Sequence, residues 1–254
     1  MRPLALRIAA IQIQLVRELN DSHIFLSQAA PVLKDAREPF ASSTHEEDRK
    51  YFVPALGKSK IAQRTDQELK AIYDRFLSSG LFEAFLVASI SAFEAFLLKV
   101  LREIISEYPG KLSISVPGVS ACKTAPISTI FDASSLEEAQ EAVIAEHLSG
   151  VFYAQPKAYL DYAKKIIGIE EPDDAFEQYL EMKATRDLLV HSDGVINSVY
   201  LAKAEPNARG NIGQRLVVDG NYFENSIAAL KRIAGIIKRD SEGNFPVRKK
   251  EPKA

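Results

Sequence analysis

The 254-residue chain has one cysteine and no tryptophan. The lone Cys122 excludes an internal disulfide framework and suits a reducing compartment. A charge excess is also missing. Lys and Arg total 32 against 34 Asp and Glu, which excludes a global basic field of the kind that coats nucleic acid and leaves room only for a local basic site. Long uncharged apolar runs are absent too. The most apolar stretch, residues 81–105, is interrupted by Glu83, Glu94, Lys99 and Arg102. Its uncharged run, 84–93, is about half of the ~20 residues that a membrane span needs. Arg2 and Arg7 precede an apolar patch, but Gln12 and Gln14 interrupt it and no small-residue cleavage site follows, so no secretory signal is read. The expectation is a cytoplasmic chain with no membrane segment. Its 46% hydrophobic content is enough for a full core.

What is present is helical periodicity. Leu4, Ile8, Ile11, Leu15 and Leu19 recur at helical spacing, and a second helical piece is expected over 24–36. Residues 38–50, with Pro39 and a charge cluster, read as a loop. Thr65 and Glu68 form a capping box that opens a helix, and Gly80 marks a break or bend. Phe82, Phe85, Leu86, Ser89, Phe93, Phe96, Leu97, Val100 and Ile104 then make one wide apolar stripe, stopped by Pro109-Gly110. Residues 111–135 read as an insertion or long loop, where a short strand pair also fits. Ser134 with Glu137 starts another helix, Pro156 and Gly168 bound the next, and Pro172 opens a longer one broken at Asp193-Gly194. Residues 195–219 read as irregular, with a brief strand at 215–218. Asn221 caps a last helix, and a polar, basic tail starts at Ser241. The order gives an N-terminal helical extension (1–79), a helical bundle (80–240, insertion about 111–135) and a flexible tail (241–254). The fold class is all-α.

Several common sites fail on inspection. Leu56-Gly57-Lys58-Ser59 imitates the end of a phosphate-binding loop, but the required upstream glycine is Phe52, so a surface loop is the reading. Gly118 to Cys122 misses the nucleophile elbow because its last position is not glycine. His23, His45, His147 and His191 are too scattered for a metal motif. No metal and no cofactor are expected.

One constellation remains, Arg186-Asp187-Leu188-Leu189-Val190-His191, followed by Ser192-Asp193-Gly194. Asp187 and His191 are four apart and share a helix face, where a carboxylate can orient an imidazole. Arg186 projects about 100° from Asp187. On spacing alone a surface ion pair is the plainer reading. Residues 181–201, EMKATRDLLVHSDGVINSVYL, resemble the signature of the HEPN superfamily in its prokaryotic branch. There an Arg is followed by a polar residue and, four to six residues on, by a His. The helix around Glu94 resembles the family's first core helix, and residues 218–224 resemble the lead into its last helix. The resemblance covers 80–240.

It implies an antiparallel four-helix bundle that forms a homodimer, with two Arg-His sets in one cleft. The implied activity is metal-independent endoribonuclease cleavage of RNA in toxin–antitoxin or phage-defence settings, with an antitoxin or regulatory protein as a possible partner. The alternative is a catalytically inactive module that binds RNA, a nucleotide or a protein. Arg186, His191 and Asp187 are the expected catalytic residues. Glu94 either approaches the site or pairs within the bundle. Asn197 and Ser192 either contact phosphate or, more in keeping with their place, cap a loop. Tyr222 and Phe223 either stack on bases or staple the last helix. Arg209, Arg215, Lys231 and Arg232 either widen a basic cleft or are solvated surface.

Overall fold

Two seven-residue strands at the far end of a long helical hairpin form the only sheet among the described residues of a predominantly helical protein. The structure, a computed structural model, describes residues 3–45, 47–120, 127–170, 173–204 and 206–245. The expectations for Cys122, Pro172 and the basic residues Arg248, Lys249, Lys250 and Lys253 lie outside them.

The first helix, α1 (Leu4–Ala41), is a single element and not two pieces; Pro31 and Pro39 lie inside it. It is followed by β1 (Arg49–Ala55), β2 (Lys58–Arg64) and α2 (Asp66–Arg75). The capping box opening α2 forms as the sequence predicts, Thr65 accepting from the Glu68 amide and Glu68 accepting from that of Thr65. Gly80 does not break the chain there. A π turn, residues 76–80, carries α2 into α3 (Leu81–Glu107).

Partners fix the direction of this pairing. Arg7 meets Glu103 and Glu107, Phe25 stacks on Phe85, Arg37 pairs with Asp74 and Phe40 stacks on Tyr73. Low numbers on α1 meet high numbers on the second helix, so the two run antiparallel. The near half is core: Leu4, Ile8, Leu15, Leu19 and Leu26 are buried in the same cluster as α3. Beyond Leu26, α1 buries nothing fully, and α2 buries only Asp66 and Leu69. That far half is a two-helix stalk, and β1 and β2 cap it.

Of the loop expected over 38–50, residues 38–41 belong to α1 and Arg49 and Lys50 open the β1–β2 hairpin, which sequence reasoning missed. Its antiparallel register pairs Arg49 with Arg64, Phe52 with Ile61 and Ala55 with Lys58. Gly57, in the two-residue turn, takes φ +72°, a left-handed conformation that glycine adopts without strain. Pro54 lacks an N–H, which a two-stranded sheet tolerates because each strand has an open edge.

α3 is the hub, packing on α1 and on α5 (Leu136–Phe152), α6 (Pro156–Ile167), α7 (Asp174–His191) and α9 (Gly220–Asn244). Leu86, Ile90, Phe93, Leu97, Val100, Leu101 and Ile104 on it are completely buried. By length and composition the continuous helix Asp66–Glu107 is apolar enough to cross a membrane, yet nearly half of its most apolar stretch is enclosed by these neighbours. The insertion holds a short helix, α4 (Ile127–Phe131).

Helix ends shift by a residue or two from expectation. Ser135, one residue after the expected Ser134, caps α5, and Glu138 accepts from the Ser134 amide. Asp219 and not Asn221 caps α9. Gly168 ends α6 at φ +85° as expected. α9 continues past Ser241, which is fully buried, to Asn244, whose side-chain amide donates to the carbonyls of Ile167 and Gly168. Residues 241–244 thus extend α9, Phe245 caps it, and these residues are not a loose tail. The irregular segment contains α8 (Ser198–Ala204), and the expected strand is a single bridge, Val195 with Arg215.

Candidate functional site

α7 carries the constellation. Asp173 caps its start, its carboxylate accepting from the Ala175 amide. It stops at His191 because Asp193 and Gly194 turn left-handed at φ 50° and 74°, while the amides of Ser192 and Gly194 donate back to the Leu188 carbonyl. Arg215 holds this turn by donating to the Asp193 carbonyl at 2.6 Å and reaching Glu83 on α3 at 3.4 Å. The end of α7 is therefore level with the start of α3, on the side from which the stalk leaves.

His191 is exposed, and its side chain makes no hydrogen bond or ion pair with the described residues. The hydrogen bond expected from Asp187 to its imidazole is not formed. Asp187 instead meets Lys183 at 3.1 Å, Arg186 at 3.1 Å and Lys203 of α8 at 3.5 Å. Lys183 is one turn before Asp187 on the same stripe, as His191 is one turn after it, and the charged lysine takes the carboxylate. Half-burial works to raise the Asp187 carboxyl. The charge of Lys183 and the hydrogen bonds from Lys183 and Arg186 outweigh it, and the carboxyl is held below its ordinary value. The Nε of Arg186 is buried with no hydrogen-bond partner.

Glu94 does both things the sequence left open. It pairs with Lys183 at 3.1 Å inside the bundle, and through that lysine it joins the Asp187 cluster. Tyr159 donates to Glu94 at 3.2 Å and shares a 2.5 Å hydrogen bond with Tyr179. Burial first, then the charge of Glu94, pushes the Tyr159 phenol up. These phenols stay protonated and serve as donors. Asn197 accepts from the Tyr200 amide, capping α8, and donates to Ser192. Capping accounts for both residues.

Sequence reasoning missed the most heavily bonded group. Glu181 is buried on α7, where its carboxylate accepts from Thr185, Tyr200, Arg209 and Tyr222 at 2.6 to 3.0 Å. The Arg209 guanidinium also lies 3.6 Å over the Tyr222 ring. Tyr222 and Arg209 are therefore structural ties, and Phe223 packs on Phe82. Arg232 is paired with Asp173, and Lys231 donates to Asn20. The only local hint of the Glu181 network was the four-residue spacing to Thr185.

The arrangement gathers three cations, Lys183, Arg186 and Lys203, around Asp187, with Glu94 behind and a free imidazole at the helix end. A guanidinium with a partly exposed ammonium is a donor set that suits a phosphate. Among the described residues no group of three or more His, Cys, Asp and Glu side chains is placed to hold a metal ion. Comparison with known proteins gives no matching family model, no matching curated protein and no matching solved structure.

Proposed function

We propose that the chain is a HEPN-like endoribonuclease that acts as a homodimer in the cytoplasm, with Arg186 and His191 of both copies at one cleft of an antiparallel four-helix bundle. The observation that carries the reading is the unpartnered, exposed imidazole of His191 at the end of the helix that carries Lys183 and Arg186, with Lys203 of α8 joined to them through Asp187. Breaking RNA by attack of its 2'-hydroxyl needs a base to take that proton and an acid to protonate the leaving 5'-oxygen, and histidine titrates in the range for both. The phosphate gains negative charge in the transition state, and the donor fork of an arginine matches its oxygens. DNA lacks the attacking hydroxyl. Asp187 serves this reading by gathering the cations and not by orienting the imidazole. Val190, Val195 and Val199, close to His191 along the chain, are exposed apolar residues that suit a second copy.

One observation favours the other reading, a module without catalysis that binds RNA, a nucleotide or a protein such as an antitoxin: Arg186 is already engaged by Asp187. Purified protein incubated with RNA in EDTA separates the two. The enzyme cuts and His191→Ala does not; the silent module leaves RNA whole in both.

A further inference from the structure

We propose that the β1–β2 hairpin is an arm that holds single-stranded RNA by its phosphates, on the end of the molecule that carries Arg186 and His191. The proposal rests on the RNA-directed reading of that site and names the element that holds substrate for it.

Charge is the first observation. Residues 49–64 contain Arg49, Lys50, Lys58, Lys60 and Arg64 and no acidic residue, while outside them acidic residues outnumber basic ones by seven. All five cations are exposed. Arg49 is paired with Asp66; Lys50, Lys58, Lys60 and Arg64 make no ion pair with described residues. Directly paired residues share a face of a two-stranded ribbon. The register therefore puts Arg49, Arg64, Lys60 and Lys58 on one face, together with Tyr51. Arg49 and Arg64 are direct partners, a like-charge placement that costs stability on its own. Apart from Arg49 the row has no counter-charges among the described residues, and such a row is what a linear polyanion neutralises.

Aromatic exposure is the second. Phe52 is 81% exposed on the opposite face, and Tyr51 is 40% exposed among the cations. Rings beside a cationic track are the usual means of holding unpaired bases.

Placement is the third. Arg49 forks onto Asp66 at 2.5 and 2.9 Å and lies over the Phe40 ring, so the ribbon is fixed to both helices of the stalk. The helix from Glu83, level with the end of α7, back to Asp66 is about 25 Å long at 1.5 Å per residue. A strand bound at the Arg186 cluster meets the ribbon if it runs along the stalk. An anionic lipid surface shares the charge, but four of the five cations form a row along one face and do not ring the apolar tip at Leu56, which fits a chain of phosphates.

The test measures binding of fluorescein-labelled single-stranded RNA by anisotropy across a salt series, all in a His191→Ala background so that RNA stays whole. Replacing Lys58, Lys60 and Arg64 together by Gln should weaken binding about tenfold and flatten the dependence of log affinity on log salt by about 0.7 for each phosphate that is no longer neutralised. Lys58→Arg with Lys60→Arg should bind as before, and melting curves confirm that each variant is folded. Wild-type affinity and slope in the Gln variant overturn the proposal. So does binding to phosphatidylserine vesicles that the Gln variant loses while RNA binding persists, which assigns the ribbon to lipid. Cleavage is scored separately with intact His191. If that protein never cuts while the Gln variant loses RNA, the enzyme reading alone fails. If His191→Ala abolishes cutting while the hairpin variants bind normally, the arm alone fails.

Discussion

The ammonium of Lys183 stands 3.1 Å from the Glu94 carboxylate, and this ion pair ties α3 to α7 one turn before Asp187. Lys183→Met leaves both carboxylates short of a cation in a mostly buried place. It should cost about 1–3 kcal/mol of stability, read as a lower urea midpoint. The Asp187 carboxyl, held down chiefly by Lys183 against the opposing effect of burial, should titrate at higher pH in that variant. An unchanged Asp187 titration by NMR contradicts this assignment.

Glu181 is the second structural prediction. Glu181→Ala leaves Arg209 partly buried without its carboxylate and frees the hydroxyls of Tyr200 and Tyr222. A loss of about 3–5 kcal/mol is expected, with faster amide exchange in α8 and in the described residues of 206–219. Exchange confined to α7 is the contrary result.

Asp66 gives the hairpin a pH dependence. The Arg49 guanidinium, with help from Ser43, holds its carboxyl down at about 2, below the ordinary 3.8. A carboxyl depressed in the folded state contributes stability that is complete above its ordinary value and is lost as pH falls through the folded one. Amide protection in β1 and β2 should therefore hold at pH 5 and decline between about pH 4 and 2. Arg49→Gln should remove the dependence. Protection that rises toward pH 2 reverses the sign and contradicts the pairing.

Legibility in the sequence followed local signals. The α3 stripe, the Thr65 capping box and the Gly168 cap were readable because each is set within a few residues. The unbroken α1 was not, because polar Asn20-Asp21-Ser22-His23 interrupt the apolar stripe and Pro39 is a local breaker, and tertiary packing on α3, α9 and α2 carries the helix through both. The hairpin was hidden by Pro54 and five charges, although Tyr51-Phe52-Val53 before Leu56-Gly57 carries the strand-and-turn signal. At the site, the four-residue spacing placed Asp187 beside two competitors, Lys183 and His191, and spacing alone does not rank them. Lys203 comes from α8, which periodicity did not show.

The dimer proposal has its own check. Sedimentation at micromolar concentration should give two copies, and Val190→Glu with Val199→Glu should give one, because charges placed in an apolar interface oppose burial. A wild-type monomer counts against a composite cleft.

Arginine at 186 is also distinguishable from a mere positive charge. Arg186→Lys should keep RNA affinity within a few fold yet lower the cleavage rate strongly, since an ammonium cannot form the paired bonds of a guanidinium on phosphate. Equal rates in the two proteins contradict a transition-state role.

The most direct measurement of the central claim is cleavage of a defined RNA in EDTA by the wild type and by His191→Ala, with product ends identified. The wild type should cut and leave 2',3'-cyclic phosphate, the rate should fall about 10²–10⁴-fold without the imidazole, and a substrate carrying one 2'-deoxy residue at the cut should resist. RNA left whole by the wild type, or cut equally well by His191→Ala, contradicts the claim.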